Sequence, residues 1–260
     1  MKIAFEKYHG TGNDFVMIDD ADKLLDIQNV AWVPKIAQRK FGVGADGVIL
    51  IRPHITYDFE MVFFNPDGSQ SFCGNGSRCA VAFAKKLGYV KQNETTFLST
   101  DGEHTAVIDE QNNVSLQMKD VHESRLIQND YYIHTGSPHY ITYVEDIRRV
   151  DVYDEGRKIR YSEKYKADGV NVNFVEEQQP EHIFVRTYER GVENETLSCG
   201  TGVTAAALSY AIKNNTPTGK IKVSTKGGEL SVTFERKGDT FTNIWLVGPA
   251  TYVFSGEIEL

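Results

Sequence analysis

The chain has 260 residues, enough for one large core or two of ordinary size. Its 28 Lys and Arg stand against 36 Asp and Glu, a net charge of −8, and no basic tract or aromatic–basic interleaving offers a nucleic acid the electrostatic footprint it needs. No stretch nears the roughly 20 apolar residues of a membrane span, and the opening Met1-Lys2-Ile3-Ala4-Phe5-Glu6-Lys7 lacks the apolar core of a signal peptide, so a cytoplasmic protein is expected.

In chain order, β-type or alternating runs cover Ala4 to Ile18, Val48 to Arg52, Tyr57 to Phe64, Thr95 to Ser99, His104 to Asp109 and Asn113 to Met118. A short helix is predicted over Ala31 to Gln38, and a longer one over Asn75 to Leu87, ended by Gly88. The second half repeats the pattern. Strands are predicted over Tyr131 to Ile133, His139 to Val144, Val170 to Val175, His182 to Tyr188, Ile221 to Thr225, Glu229 to Glu235 and Asn243 to Val247, with a helix over Thr201 to Lys213. The last strand, Tyr252 to Leu260, has no partner in the repeat and is expected to return to the first lobe.

The halves also match in detail. Gly12 has its echo in Gly136, Ala45-Asp46-Gly47 in Ala167-Asp168-Gly169, Cys73-Gly74-Asn75-Gly76 in Cys199-Gly200-Thr201-Gly202, and Ser99-Thr100 in Ser224-Thr225. Each echo lies 122 to 126 residues after its counterpart, in the same order, which marks a tandem duplication. The expected fold is α/β (α+β): two pseudo-symmetric lobes, each a curved mixed sheet wrapped around a central buried helix. The lobes are expected at residues 1–118, joined by strand 251–260, and at 119–250.

Each Cys-Gly-x-Gly places a cysteine where a helix begins. The first backbone amides of a helix lack intrahelical partners, and the aligned peptide dipoles add partial positive charge there, which favours a thiolate and an approaching anion. Gly42-Val43-Gly44-Ala45-Asp46-Gly47 matches a dinucleotide fingerprint only formally, because a strand-type run rather than a helix follows it. The three cysteines, Cys73, Cys79 and Cys199, match no zinc or disulfide spacing, so reduced thiols and no metal are expected. Cys79 reads as core packing.

If the two lobes face each other, the two thiols would converge on one cleft. Inverting a carbon centre requires that layout, since the proton leaves one face and returns on the other. No pyridoxal phosphate is then needed. A thiol-redox or metal-binding protein is the rival reading from a different class.

Here the residues carry a resemblance. Asn65-Pro66-Asp67-Gly68-Ser69, Cys73-Gly74-Asn75-Gly76-Ser77-Arg78-Cys79, Glu189-Arg190-Gly191 and Cys199-Gly200-Thr201-Gly202 resemble the diaminopimelate epimerase family, as does the opening His9-Gly10-Thr11-Gly12-Asn13-Asp14-Phe15. The resemblance implies interconversion of LL- and meso-2,6-diaminopimelate, in lysine and peptidoglycan precursor synthesis, without a cofactor; another racemase of the superfamily, acting on proline or hydroxyproline, is the alternative. It implies Cys73 and Cys199 as the proton-transfer groups, with His139 and Glu189 assisting. Gly74, Asn75, Gly200 and Thr201 would cradle the reacting end of the substrate. Asn13, Asn65, Asn171, Glu189 and Arg190 would hold the rest of it. Two positions depart from the family pattern: Ser137 stands where an asparagine is common, and Gly47 where many members have glutamine. A homodimer is a possible assembly.

Overall fold

The computed structural model describes residues 1–260. The chain divides into two compact units, Met1–Leu116 with Gly248–Leu260, and Gln117–Val247.

In the first unit, β1 (Lys2–Gly10) and β2 (Asn13–Asp19) form a hairpin where a single run from Ala4 to Ile18 was expected. The break is the two-residue turn Thr11-Gly12, with φ of 51° and 84°. Positive φ at both central residues is the geometry that matches strand twist in tight hairpins, although for the β-branched Thr11 it is a strained one. Next come α1 (Trp32–Ala37), β3 (Gly47–Arg52), β4 (Phe59–Phe64), α2 (Gly74–Leu87), β5 (Glu94–Ser99), β6 (Gly102–Ile108) and β7 (Asn113–Gln117). The last strand of the chain, β17 (Thr251–Glu259), pairs antiparallel with β1 from Lys2↔Glu259 to His9↔Thr251. The order β17-β1-β2-β3-β4-β5-β6-β7 is antiparallel throughout except at β2–β3 and β4–β5.

β3 is buried along its whole length, which explains its unbroken apolar sequence. Successive side chains point to opposite faces. Val48 and Leu50 join Val16, Ile18, Val33, Ile36 and Phe64 beneath α1, while Ile49 lies against Gly76 at the start of α2. Helix α2 is buried from Asn75 to Ala84 and touches β1, β2, β3, β4 and β6, so this part of the sheet curves around it. Gly88, at φ 86°, closes the helix by donating to the carbonyls of Ala84 and Lys85.

The second unit repeats the plan. It contains β8 (Ser124–Ile127), β9 (Asp130–His134), β10 (Pro138–Tyr143), α3 (Val152–Arg160), β11 (Asn171–Gln179), β12 (His182–Glu189), β13 (Asn194–Thr196), α4 (Gly200–Lys213), β14 (Thr218–Thr225), β15 (Gly228–Lys237) and β16 (Thr240–Pro249). With β13 set aside as a short flap on β12, the order β8-β9-β10-β11-β12-β14-β15-β16 is antiparallel except at β10–β11 and β12–β14. That is the same sequence of pairings as in the first unit. β17 therefore does have a counterpart in the repeat: it holds the edge position in its unit that β8 holds in the other. The mismatch in order arises because one copy takes its first strand from the end of the chain.

Helix α4 is buried at Gly200 and from Gly202 to Ala211, and contacts β9, β10, β11, β12, β14 and β15. Its Ala-rich sequence lets six strands approach a single helix. Val172 and Phe174 of β11 pack on the α3 side with Val152, Val170 and Tyr188. By the same alternation Asn171 and Asn173 point the other way, toward α4.

Candidate active site

In the first unit Cys73 is the residue that caps α2, with extended backbone (φ −136°, ψ 110°) and a sulfur that accepts from the Gly76 amide at 3.4 Å. Gly74 and Asn75 form the first turn. Asn13, immediately after the hairpin turn, presents its Oδ1 to Asn75 Nδ2 at 3.3 Å and to Cys73 Sγ at 3.6 Å. Its Nδ2 donates to Asp46 Oδ2 at 2.8 Å, so Asp46 fixes which way the amide faces. Asp46 is itself bound by Arg39 at 2.7 Å, and Arg39 also grips Asp14 at 2.6 and 3.1 Å. Lys7 lies 2.7 Å from Asp14 Oδ2. Partial burial works against the Asp14 charge, but the bonds from Arg39 and Lys7 outweigh it and hold the carboxyl down at about 2.

Asn65 sits at the end of β4, where its Nδ2 donates to Ser69 and to Ser71 Oγ at 3.1 Å. It thus closes the Pro66-Asp67-Gly68 turn that delivers the chain to Cys73. Cys79, fully buried in α2, is pushed up to about 12 by loss of solvent and stays a thiol at neutral pH.

In the second unit Cys199 caps α4 in the same extended conformation (φ −117°, ψ 110°). Thr201 Oγ1 lies 3.6 Å from its sulfur. His139 is wholly buried; its Nε2 lies 3.0 Å from Thr201 Oγ1 and 2.9 Å from Ser137 Oγ. The tautomer follows from the other ring nitrogen. Asn173 Oδ1 accepts from Thr187 Oγ1 at 2.9 Å, which leaves Asn173 Nδ2 to donate to Tyr140 O and to His139 Nδ1, both at 3.1 Å. Nδ1 is an acceptor, so the proton is on Nε2 and is given to the hydroxyls. Burial first, and then the charges of His134 and Arg190, push the imidazole down to about 3, so it is neutral near pH 7.

Asn171 donates to Ser137 Oγ and Pro138 O, each at 3.2 Å, and accepts from the Arg190 amide at 2.8 Å. Arg190 Nη1 donates to Asp168 O at 2.8 Å from an exposed position, and the adjacent Glu189 is half-buried at the end of β12. Thr135 donates to the Thr201 carbonyl at 2.9 Å, bracing the first turn of α4.

The structure therefore groups Asn13 and Asn75 with Cys73, and Ser137, His139, Asn171 and Thr201 with Cys199. Asp46, Thr135, Asn173 and Thr187 were not foreseen. A signal existed for two of them: Asp46 lies in a stretch repeated around Asp168, and Asn173 is two residues beyond Asn171, on the same strand face.

The model of the family described as diaminopimelate epimerase matches residues 5–122 and again 131–253, one match for each half of the duplication. The chain belongs to the diaminopimelate epimerase family. Among curated members it is 49% identical to the diaminopimelate epimerase of Flavobacterium psychrophilum over 253 residues, covering 97% of this chain and 98% of that one. It is 39% identical to the diaminopimelate epimerase of Aquifex aeolicus, covering 98% and 97%. Similar solved structures include a PhzF-family phenazine biosynthesis protein of Bacillus anthracis, with a TM-score of 0.79, 15% identity and full coverage of both chains. A hydroxyproline epimerase of Agrobacterium vitis has a TM-score of 0.71 at 15% identity, over 100% of this chain and 93% of that one. At such identities the two structures speak for the fold of this family member and not for its substrate. No helix of the chain is long and apolar enough to cross a membrane.

Proposed function

We propose that the protein interconverts LL- and meso-2,6-diaminopimelate by moving the α-proton between two thiols. The observation that carries this is the repeated setting of Cys73 and Cys199, each capping a buried helix within a duplicated unit. The family membership and the names of its relatives supply the substrate.

One cysteine, as thiolate, takes the proton from the α-carbon. The other, as thiol, returns its proton to the opposite face, and the new thiolate and thiol exchange roles in the reverse direction. The C–H bond broken on one face is replaced by one formed on the other. No carbonyl cofactor is required for either transfer. The two amide-rich helix starts, Gly74-Asn75 and Gly200-Thr201, stabilise the charge that builds on the carboxylate as the carbanion develops. Asn13, Asn65, Ser137, Asn171, Glu189 and Arg190 are assigned to holding the substrate. The guanidinium of Arg190 suits a carboxylate because it can bond it bidentately. His139, with Glu189, serves the thiols' protonation; for Cys199 it acts through Thr201. This chemistry assigns both lobes, residues 1–118 and 119–250, to one substrate molecule, in the cytoplasmic synthesis of lysine and peptidoglycan precursors.

The test is α-deuterium incorporation, followed by NMR with LL- and meso-diaminopimelate in D₂O. Wild type should exchange one α-proton and form the other isomer, while Cys73→Ala and Cys199→Ala each lose epimerisation. Failure of folded, reduced wild type to exchange either isomer would remove diaminopimelate as substrate, and proline and hydroxyproline would be tried next.

A further inference from the structure

The residue before Cys73 is anchored outside its own helix. Cys73 caps α2, so Phe72 stands just ahead of the cap, where an apolar side chain often packs against the fourth residue of the helix and fixes the angle at which the chain enters. In α2 that fourth residue is Ser77, whose hydroxyl donates to the Cys73 carbonyl at 3.0 Å. The helix therefore offers Phe72 no apolar partner there. Its ring lies instead on His104 of β6, with centroids 4.3 Å apart and planes 8° from parallel.

His104 ends a row of rings built by strand register. Phe59 on β4 pairs with Phe97 on β5, and Phe97 pairs with His104 on β6. Their rings stack in the same order, at 4.9 Å and 3° between Phe59 and Phe97 and at 5.5 Å and 26° between Phe97 and His104. All three are buried. His104 Nε2 donates to Asp101 Oδ1 at 2.7 Å, which fixes the plane of the imidazole from the β5–β6 turn. Phe72, half-buried, is the fourth ring and ties its segment to the core. The second unit meets the same need differently: Ser198 precedes Cys199, and the Gly227 amide of the β14–β15 turn donates to the Leu197 carbonyl at 2.9 Å.

We propose that His104 is a positioning residue that, through the Phe72 ring, fixes the direction from which the chain enters α2 and so holds Cys73 in place. Residues 71–73 belong to no helix or strand, so the stack supplies order that regular backbone pairing does not. A displacement of about 1 Å in a reacting group can cost about 100-fold in rate, which makes such an anchor matter for proton transfer.

The effect on rate rests on the two-thiol reading, whereas the anchoring of Cys73 can be followed without substrate. Hydrogen–deuterium exchange of the full-length protein is measured in peptides spanning residues 69–77 and 195–203. In His104→Ala and in Phe72→Ala the first peptide should exchange several-fold faster than in wild type, with the second unchanged. His104→Phe, which keeps a stacking ring, should restore most of the protection. With diaminopimelate, both alanine variants should lose about 10- to 100-fold in kcat while KM stays within about two-fold. The double variant should lose no more than either alone, since each removes the same contact, and His104→Phe should recover most of the rate. Unchanged exchange in the folded alanine variants overturns the proposal; so does faster exchange with an unaltered kcat, or a loss carried by KM. If wild type does not turn over diaminopimelate, the two-thiol reading falls and the exchange comparison alone decides whether the stack holds Cys73. Should His104→Ala fail to fold by circular dichroism, Phe72→Ala and His104→Phe decide by the same readings.

Discussion

Asn173 Nδ2 lies 3.1 Å from His139 Nδ1 and donates to it. A side chain with no part in the reaction thereby decides that the imidazole proton faces Thr201 and, beyond it, Cys199. The approach is close enough to dictate a glycine in α4: a Cβ at position 202 would sit 2.4 Å from Asn173 Oδ1.

Replacing the amide by a carboxylate reverses the polarity. In Asn173→Asp the new oxygen accepts from Nδ1–H, and Nε2 loses its proton toward the hydroxyls. The kcat should fall about 10- to 100-fold, part of the usual worth of an aligned acid–base group, with KM little changed. ¹⁵N NMR of the imidazole is the direct check. An Nε2-protonated ring in the variant would show that Asn173 does not set the tautomer.

The low affinity of His139 for protons has a cost at acid pH. The folded state holds this residue neutral down to about 3, whereas the unfolded chain protonates it below its ordinary value near 6.5. The unfolded state therefore binds more protons in that window, and stability drops as pH falls from about 6.5 toward 3. In urea melts between pH 7.5 and 4.5, His139→Gln should lose stability less steeply than wild type. Parallel slopes would mean that the imidazole titrates in the fold.

How much of this was legible in the sequence depends on where the signal was carried. The duplication, both cysteine-capped helices and the apolar strand β3 follow from repeated words and from periodicity. Helix α3 was missed because only Val152 and Gly156 of its residues are buried, so no apolar stripe announces it. Its signals were electrostatic: Asp151 caps it, Asp154 and Glu155 occupy the first turn, and Arg157, Lys158 and Arg160 the last. Gly156 inside it looks like a helix breaker, yet it is there because a Cβ would lie 2.4 Å from Tyr188. The network behind Cys199 was hidden for another reason. Asn173, Thr187 and Thr135 gain their roles from cross-strand register, which one sequence does not display.

A second pH effect operates in the first unit and at lower pH. Asp14, held at about 2 by Arg39 and Lys7, contributes stability that is complete above its unfolded value near 3.9 and is lost as pH falls through about 2. Asp14→Asn should remove this dependence, flattening the stability profile between about pH 4 and 2. It should also loosen Asp46, which shares Arg39 and orients Asn13. A rise in KM for diaminopimelate at neutral pH, several-fold and larger than any change in kcat, would connect the ion network to substrate holding. An unchanged KM would confine the network to stability.

The packing around Gly47 leaves no room for a side chain. A Cβ at this position would lie 2.3 Å from Phe63 Cε2 and 2.9 Å from the Phe64 carbonyl. Phe63 is almost wholly buried and packs edge-on against Phe15 at 5.9 Å, so its ring cannot simply swing away. Gly47→Ala should therefore cost about 1 to 3 kcal/mol, the usual penalty for overfilling a packed core. If the clash with Phe63 is the cause, Phe63→Leu should relieve it, and in urea denaturation the double variant should be more stable than the two single losses sum to. Strict additivity would place the constraint in the backbone at Phe64, and a glutamine at 47 would then need a shifted β4 rather than a smaller neighbour.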